Sequence, residues 1–288
     1  MSCASLALLI VAVAGCWLEG IRVPNAGSSL MGLALLVAGF LPVPLYLKEK
    51  GKPYLRESLL TIAWALLLYG LLHFPVVIAA RVGAGVPLKD RSLGGFDRAL
   101  GVDLPGIVSW TSGHWAGHWI SASYVLLIPM MWAAVLVPIV SGRVGDAQRF
   151  LRATLIAFAL GLPLFVLLPA VGPWYLFHFA AGPAQAACQA TLLHARAPGM
   201  YVYDSAGFIC FPSFHVVWAI LCANALWSFR VLRIPAALVV VLILISTMTT
   251  GWHYFADVLG GITVATAAIA LDRFVGKRAE LAREQRAA

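Results

Sequence analysis

Asp257 is the sole carboxylate between Ser205 and Leu271, in a stretch that is otherwise almost wholly apolar. A charge at membrane depth costs about 3 kcal/mol or more unless it is paired or lines a wet cavity, so such an acid points to function. His253 stands four residues before it, and positions i and i+4 share one face of a helix. In that arrangement a carboxylate holds one imidazole nitrogen while the other nitrogen faces a substrate. A second histidine, His215, closes Phe211-Pro212-Ser213-Phe214-His215, where another apolar run begins. Pro212 and Ser213 are ordinary helix-start residues, but a helix start also offers free N–H groups to an anion. Two histidines, one acid and an anion-binding helix start suit phosphoryl chemistry: a nucleophilic imidazole, an acid for the leaving group, and donors for phosphate oxygens. Ser213 and Phe214 on one side, with Trp252 and Tyr254 on the other, flank these groups as candidate substrate contacts.

The elements that must position them are membrane helices. Of 288 residues 61% are hydrophobic and 11% charged, against roughly 25% charged in soluble domains. The expected fold is therefore all-α and polytopic. The net charge of +8 does not mark a nucleic-acid binder, because the basic residues are scattered between apolar runs. About eight spans of roughly 20 residues are expected, at 3–18, 30–47, 58–80, 119–140, 151–171, 212–229, 234–250 and 254–274. Pro42, Pro75, Pro129 and Pro163 inside these runs read as kinks. The chain divides into two accessory helices at 1–57, a six-helix catalytic unit at 58–275 and a basic tail at 276–288.

With both termini on one side, that side holds 14 Lys and Arg residues and the other holds 6. The positive-inside rule then places both termini in the cytoplasm. The run 212–229 crosses inward, Arg230 and Arg233 mark the turn, and 234–250 returns, so His215 and His253 meet at the extracytoplasmic end. Two connections on that side are long. In 81–118 the residues Leu93, Phe96, Leu100 and Leu104 form an apolar stripe beside Asp97 and Asp103, an interfacial helix. The connection 173–211 is expected to cap the site and carries Cys188 and Cys210, which an oxidising compartment would allow to bridge. The five cysteines show no metal-ligand spacing, and His114 and His118 lie in a Trp-rich interface belt. Val13-Ala14-Gly15-Cys16 has the look of a lipoprotein cleavage site, but no Lys or Arg precedes it.

Pro212-Ser213-Phe214-His215 and His253-Tyr254-Phe255-Ala256-Asp257 resemble the Pro-Ser-x-His and His-x-x-x-Asp core of the type 2 phosphatidic acid phosphatase superfamily. The longer match, Phe-Pro-Ser-Phe-His with Ser246 through Asp257, is most similar to its inositol phosphorylceramide synthase branch. The resemblance implies a six-helix catalytic bundle and a phosphohistidine formed on His253. Asp257 would orient that ring, and His215 would act as acid and then base. It implies no metal and no other cofactor. Two basic positions of the phosphatases are missing: Thr247 follows Ser246 where they carry Arg, and Gly172 precedes Pro173 where they carry another.

Without those cations a terminal phosphate dianion is poorly held, whereas a phosphodiester carries one charge fewer. The expectation is a membrane phosphotransferase moving an inositol phosphate-like head group from a phospholipid donor to a lipid alcohol such as ceramide or diacylglycerol. A lipid or polyprenyl phosphate phosphatase with the same three residues is the alternative. A proton-coupled transporter is the rival of another class, and the chain lacks the internal repeat that would support it. Arg98 or Arg196 is expected to supply a clamp, and Asp204 to meet a polar head group. The orientation has a direct test: a cysteine placed beside His253 should react with an impermeant maleimide in intact cells, and one beside Arg278 should not. The opposite labelling pattern would turn the molecule over.

Overall fold

A computed structural model describes residues 14–22, 42–202 and 209–287. The chain is an all-α membrane protein, with one two-residue parallel pair, β1 (Ile21–Arg22) beside β2 (Tyr201–Val202). Helices α1 (Pro42–Glu49), α2 (Pro53–Leu71) and α3 (His73–Val82) come first. The connecting helices α4 (Asp90–Ala99), α5 (Leu104–Gly113) and α6 (Trp115–Ala122) precede α7 (Leu127–Val140) and α8 (Val144–Leu167). After α9 (Pro173–Phe177) and α10 (Pro183–Arg196) come α11 (Phe214–Leu226), α12 (Arg233–Thr249) and α13 (Phe255–Ala287).

Among the described residues five stretches are long and apolar enough to cross a membrane: Pro53–Gly85, Trp115–Val140, Val144–Leu167, Arg230–Thr249 and Phe255–Arg278. The expected spans 3–18 and 30–47 lie largely outside the described residues. The expected span 58–80 is divided at Leu72 because Pro75 has no N–H to return to the carbonyl of Leu71. The expected 151–171 starts seven residues earlier, at Val144, since its polar first turns are helical too. Lipid-facing surface is apolar: Trp115, Trp119 and Val140 are 78%, 74% and 81% exposed, and Ile234 and Leu238 on α12 are exposed too.

The core is arranged around α11, which packs against α7, α8, α12 and α13. At 13 residues it extends about 20 Å. It is shorter than the expected 212–229 because Ser213 caps it at Val216 N–H and a 3-10 turn at Arg230–Leu232 follows it. In lipid no hydrophobic drive brings helices together, so close packing of small residues has to do so. Accordingly Ala153 and Ala157 on α8, Ala219 and Ala225 on α11, and Ala265 and Ala268 on α13 are all buried.

A close approach to α11 is at Gly261 on α13, where an added Cβ would lie 2.6 Å from the carbonyl oxygen of Ser213 and 2.9 Å from Val216 Cβ. A methyl there must push the start of α11 away. Gly261→Ala should therefore lower stability by about 1–3 kcal/mol. Gly276→Ala, on the same helix with nothing within 4 Å of its added Cβ, should be neutral or stabilising by about 0.5–1 kcal/mol. Unfolding midpoints of the two detergent-purified variants check this, and equal midpoints would refute the close-contact argument.

Candidate active site

His215 sits in the first turn of α11, and His253 lies in the turn between α12 and α13. Their ring centroids are 6.1 Å apart, so the topology does bring the two histidines to one end of the bundle. His253 and Asp257 pair at 3.3 Å between Nδ1 and Oδ2, both buried. The ring is not on the helix, as an i, i+4 pair suggests, but just before it, and its Nδ1 also faces the carbonyl oxygen of Cys210 at 3.0 Å. Asp257 has a second duty: its Oδ2 accepts from the backbone N–H of Tyr254 at 2.8 Å and so caps α13 from inside. Its backbone carbonyl receives the N–H of Ser213 at 3.0 Å, tying the two histidine-bearing segments together.

Cys188 and Cys210 are not joined by a disulfide, which corrects the expected bridge. The Cys210 thiol instead donates to Asp257 Oδ2 at 3.1 Å in a fully buried setting. Burial and the neighbouring Asp257 charge push this thiol well above the usual range, which keeps it a donor.

Two acids that sequence reasoning left without a role set the frame. Asp97 accepts from the N–H groups of Phe255 at 2.7 Å and Ala256 at 2.9 Å, capping α13 from another helix. Asp90, two turns earlier on α4, accepts from Val171 N–H at 3.1 Å, Gly172 N–H at 2.9 Å and the Tyr254 hydroxyl at 3.0 Å. The buried face of α4 is Asp90, Leu93, Gly94 and Asp97, while Phe96 and Leu100 of the expected apolar stripe are exposed. Burial pushes both carboxyls above the usual carboxylate range, and the N–H donors pull the other way. The spacing Asp90–Leu93–Gly94–Asp97 was the available signal, a helical face with an acid at each end.

The two histidines line a cavity of about 620 Å3, bounded also by Tyr124, Trp174, Trp218 and Trp252. Tyr124 stacks on His215 with centroids 4.0 Å apart, and its hydroxyl lies 3.1 Å from His215 Nδ1. That fixes one nitrogen of His215 as Asp257 and Cys210 fix one nitrogen of His253. Trp218 Nε1 is buried without a hydrogen-bond partner among the described residues, an unused donor on the cavity wall. Cys188, Leu192 and Ile209 line the cavity too, so the 173–211 connection contributes to its wall, and His73 joins them. Cys210, His253 and Asp257 also bring one thiol, one imidazole and one carboxylate within 4.8 Å of one another.

Of the remaining candidates, Phe214 lines the cavity and packs on Phe158, with centroids 4.3 Å apart. Tyr254 is fully buried and turned toward Asp90. Arg196 does not line the cavity: its guanidinium donates to the carbonyls of Gly83, Ala84 and Val86. Arg98 is exposed on α4 and is not among the lining residues either. Asp204 lies outside the described residues. The two positions lacking a cation carry structural duties instead. Thr247 returns its hydroxyl to Leu244 of its own helix at 2.7 Å. Gly172 adopts φ +145°, where a side chain is strained, and gives its N–H to Asp90.

A family model described as the PAP2 superfamily matches residues 91–271, more than half of the chain. No curated protein and no solved structure matches.

The two bonds from Asp97 give a stability prediction. Asp97→Ala strands two N–H groups at the start of α13 and should cost about 1–2 kcal/mol. Asp97→Asn keeps one good acceptor and should lose about half as much. Unfolding midpoints and hydrogen exchange at Phe255 and Ala256 check this; unchanged exchange in Asp97→Ala would show that the cap does not hold the helix start.

Proposed function

The chain belongs to the PAP2 superfamily, a membrane-embedded enzyme of the lipid phosphatase and phosphotransferase type, and from that membership we propose that it transfers a phosphodiester head group from a phospholipid to a lipid alcohol. The observation that carries the reading is the charge of the cavity: its lining includes His215, His253 and aromatic and aliphatic residues, and no Lys or Arg. The undescribed stretches 1–13, 23–41 and 203–208 contain neither residue, so they supply no clamp. A monoester dianion entering this apolar space would remain uncompensated, which is expensive. A diester monoanion needs less, and the N–H groups of Phe214 and His215 at the start of α11 are its candidate donors.

In the proposed reaction Nε2 of His253 attacks phosphorus, and the donor lipid's alkoxide leaves with a proton from His215. The result is an N–P phosphohistidine that retains the head group. Asp257 stabilises the charge that develops on the His253 ring, and the Cys210 thiol and Tyr254 N–H hold that carboxylate in place. The acceptor hydroxyl then gives its proton to His215 and attacks phosphorus, releasing His253. The two bound nitrogens, Nδ1 in both rings, leave Nε2 for this work in each case. Inositol phosphate as head group and ceramide or diacylglycerol as acceptor are the substrates to try first. Outward-facing chemistry with cytoplasmic termini is part of the same proposal and rests on the 14-to-6 basic asymmetry.

The test is turnover of labelled phospholipids by purified protein with and without a lipid alcohol. A new phospholipid should appear when the alcohol is added, and His253→Ala should reduce it to background. Asp257→Asn should remove most activity, about 10³-fold or more, through lost orientation of the ring. Rapid release of inorganic phosphate from phosphatidic or polyprenyl phosphates, with no transfer product from any acceptor, would make the enzyme a phosphatase. Near-normal turnover by His253→Ala would remove the mechanism.

A further inference from the structure

At the opposite end of the bundle from His215, the ends of α8, α11, α12 and α13 surround a second cavity of about 540 Å3. Its cations are Arg143, Arg149, Arg152, Arg233, Arg273 and Lys277, and its acids are Asp146 and Asp272. Internal pairing leaves most of that charge in place. Arg143 meets Asp146 at 2.7 Å and Arg152 meets Asp272 at 3.0 Å, while Arg149 is 3.9 Å from the already paired Asp146. Arg273 donates to the neutral Asn224 at 3.0 Å and Arg233 to the Trp227 carbonyl at 2.6 Å. Six cations around two carboxylates leave four positive charges converging on one concave space.

Two further observations point to an anion as the occupant. Ser228 Oγ, on the cavity wall, is buried without a hydrogen-bond partner among the described residues. The N-termini of α8 and α12, at Val144 and Arg233, both open at this end and add their dipoles to the same field, offset in part by the C-terminus of α11 at Leu226. A solvated basic rim that merely sets topology would need no concavity around which the cations converge. The place is also where a lipid head group lies, at the end of membrane helices, and basic pockets between such helices hold multiply charged head groups.

We propose that this cavity is a binding site for a phosphomonoester anion, carried on a membrane lipid such as a phosphatidate, and that it is separate from the active-site cavity. The site does not depend on which reaction the His253 end performs. Arg149 and Lys277 are the cations to test, since Arg149 holds its acid only at 3.9 Å and both stand away from the histidine cavity.

The experiment is native mass spectrometry of the full-length protein in detergent, incubated with dioleoyl phosphatidate or with phosphatidylcholine of the same chains. Wild type should retain phosphatidate in preference to phosphatidylcholine. R149Q/K277Q should lower phosphatidate retention roughly 25-fold, about fivefold per charge, leave phosphatidylcholine retention unchanged, and keep the basal activity and unfolding midpoint. K48Q/K50Q, which removes two charges from the same end outside the cavity, should retain phosphatidate as wild type does. Inorganic phosphate as competitor separates the two sources of the anion. Failure to displace the lipid assigns the site to the amphiphile, and displacement assigns the same cations to a soluble phosphate. Unchanged phosphatidate retention in R149Q/K277Q, or equal loss in K48Q/K50Q, would overturn the proposal.

Discussion

A carboxylate with no exposure, at the first turn of a membrane helix, is the constraint from which the site end of this protein follows. Asp257 must be surrounded by donors or the fold loses several kcal/mol. The donors it has are the ones that define the site: the His253 ring, the Cys210 thiol and the Tyr254 N–H. All three meet Oδ2, so that one oxygen ties together a ring, the Cys210 loop and a helix start, while Oδ1 is buried without a hydrogen-bond partner among the described residues. The Ser213 N–H on the Asp257 carbonyl then brings His215 to the same place. Asp97 and Asp90 repeat the principle from outside, holding the start of α13 and the Val171–Gly172 loop in register. The site is built from helix ends pinned by acids.

Charge is distributed unevenly between the two ends. The histidine cavity contains no fixed cation, whereas the far end concentrates six around one space. In the proposed reaction a fixed positive charge beside His253 would hold a terminal phosphate firmly in its ground state, and without one recognition would rest on hydrogen bonds and on the hydrocarbon fit of the lipid. That is a weaker grip on the anion and a stronger selection by shape. Tyr124 between His215 and Trp252, with centroids at 4.0 and 6.1 Å, provides a flat aromatic wall for such selection.

The helices were legible because lipid leaves a chain few options, and a run of some 20 apolar residues has little else to become. The meeting of His215 with His253 was legible too, since counting crossings is enough to place them at one end. What could not be read was everything held by a single polar contact across the chain. Asp97 on Phe255 and Ala256 spans more than 150 residues, and no periodicity records it. Cys210 looked like half of a disulfide because its loop carried another cysteine, and its thiol is engaged by Asp257 instead. Arg196 looked like a clamp because it was a cation near the right end, yet backbone carbonyls at the end of Pro53–Gly85 occupy it. Sequence shows which charges exist, and only geometry shows which of them are already committed.

The short central helix has a consequence for the bilayer itself. Its 13 residues reach about 20 Å, while a hydrocarbon core is about 30 Å thick. With Arg230 and Arg233 held at one head-group level, the shortfall would fall at the His215 end. Two of the helices packed against α11 are much longer, α8 at 24 residues and α13 at 33, so the start of α11 would lie lower in the bilayer than the ends of those neighbours. A phospholipid whose phosphate reaches that depth would have to drop out of the plane of its neighbours, at a cost set by the thickness of the host membrane. In the proposed reaction, turnover would therefore depend on the acyl-chain length of lipids that are not themselves substrates, a thinner leaflet favouring entry.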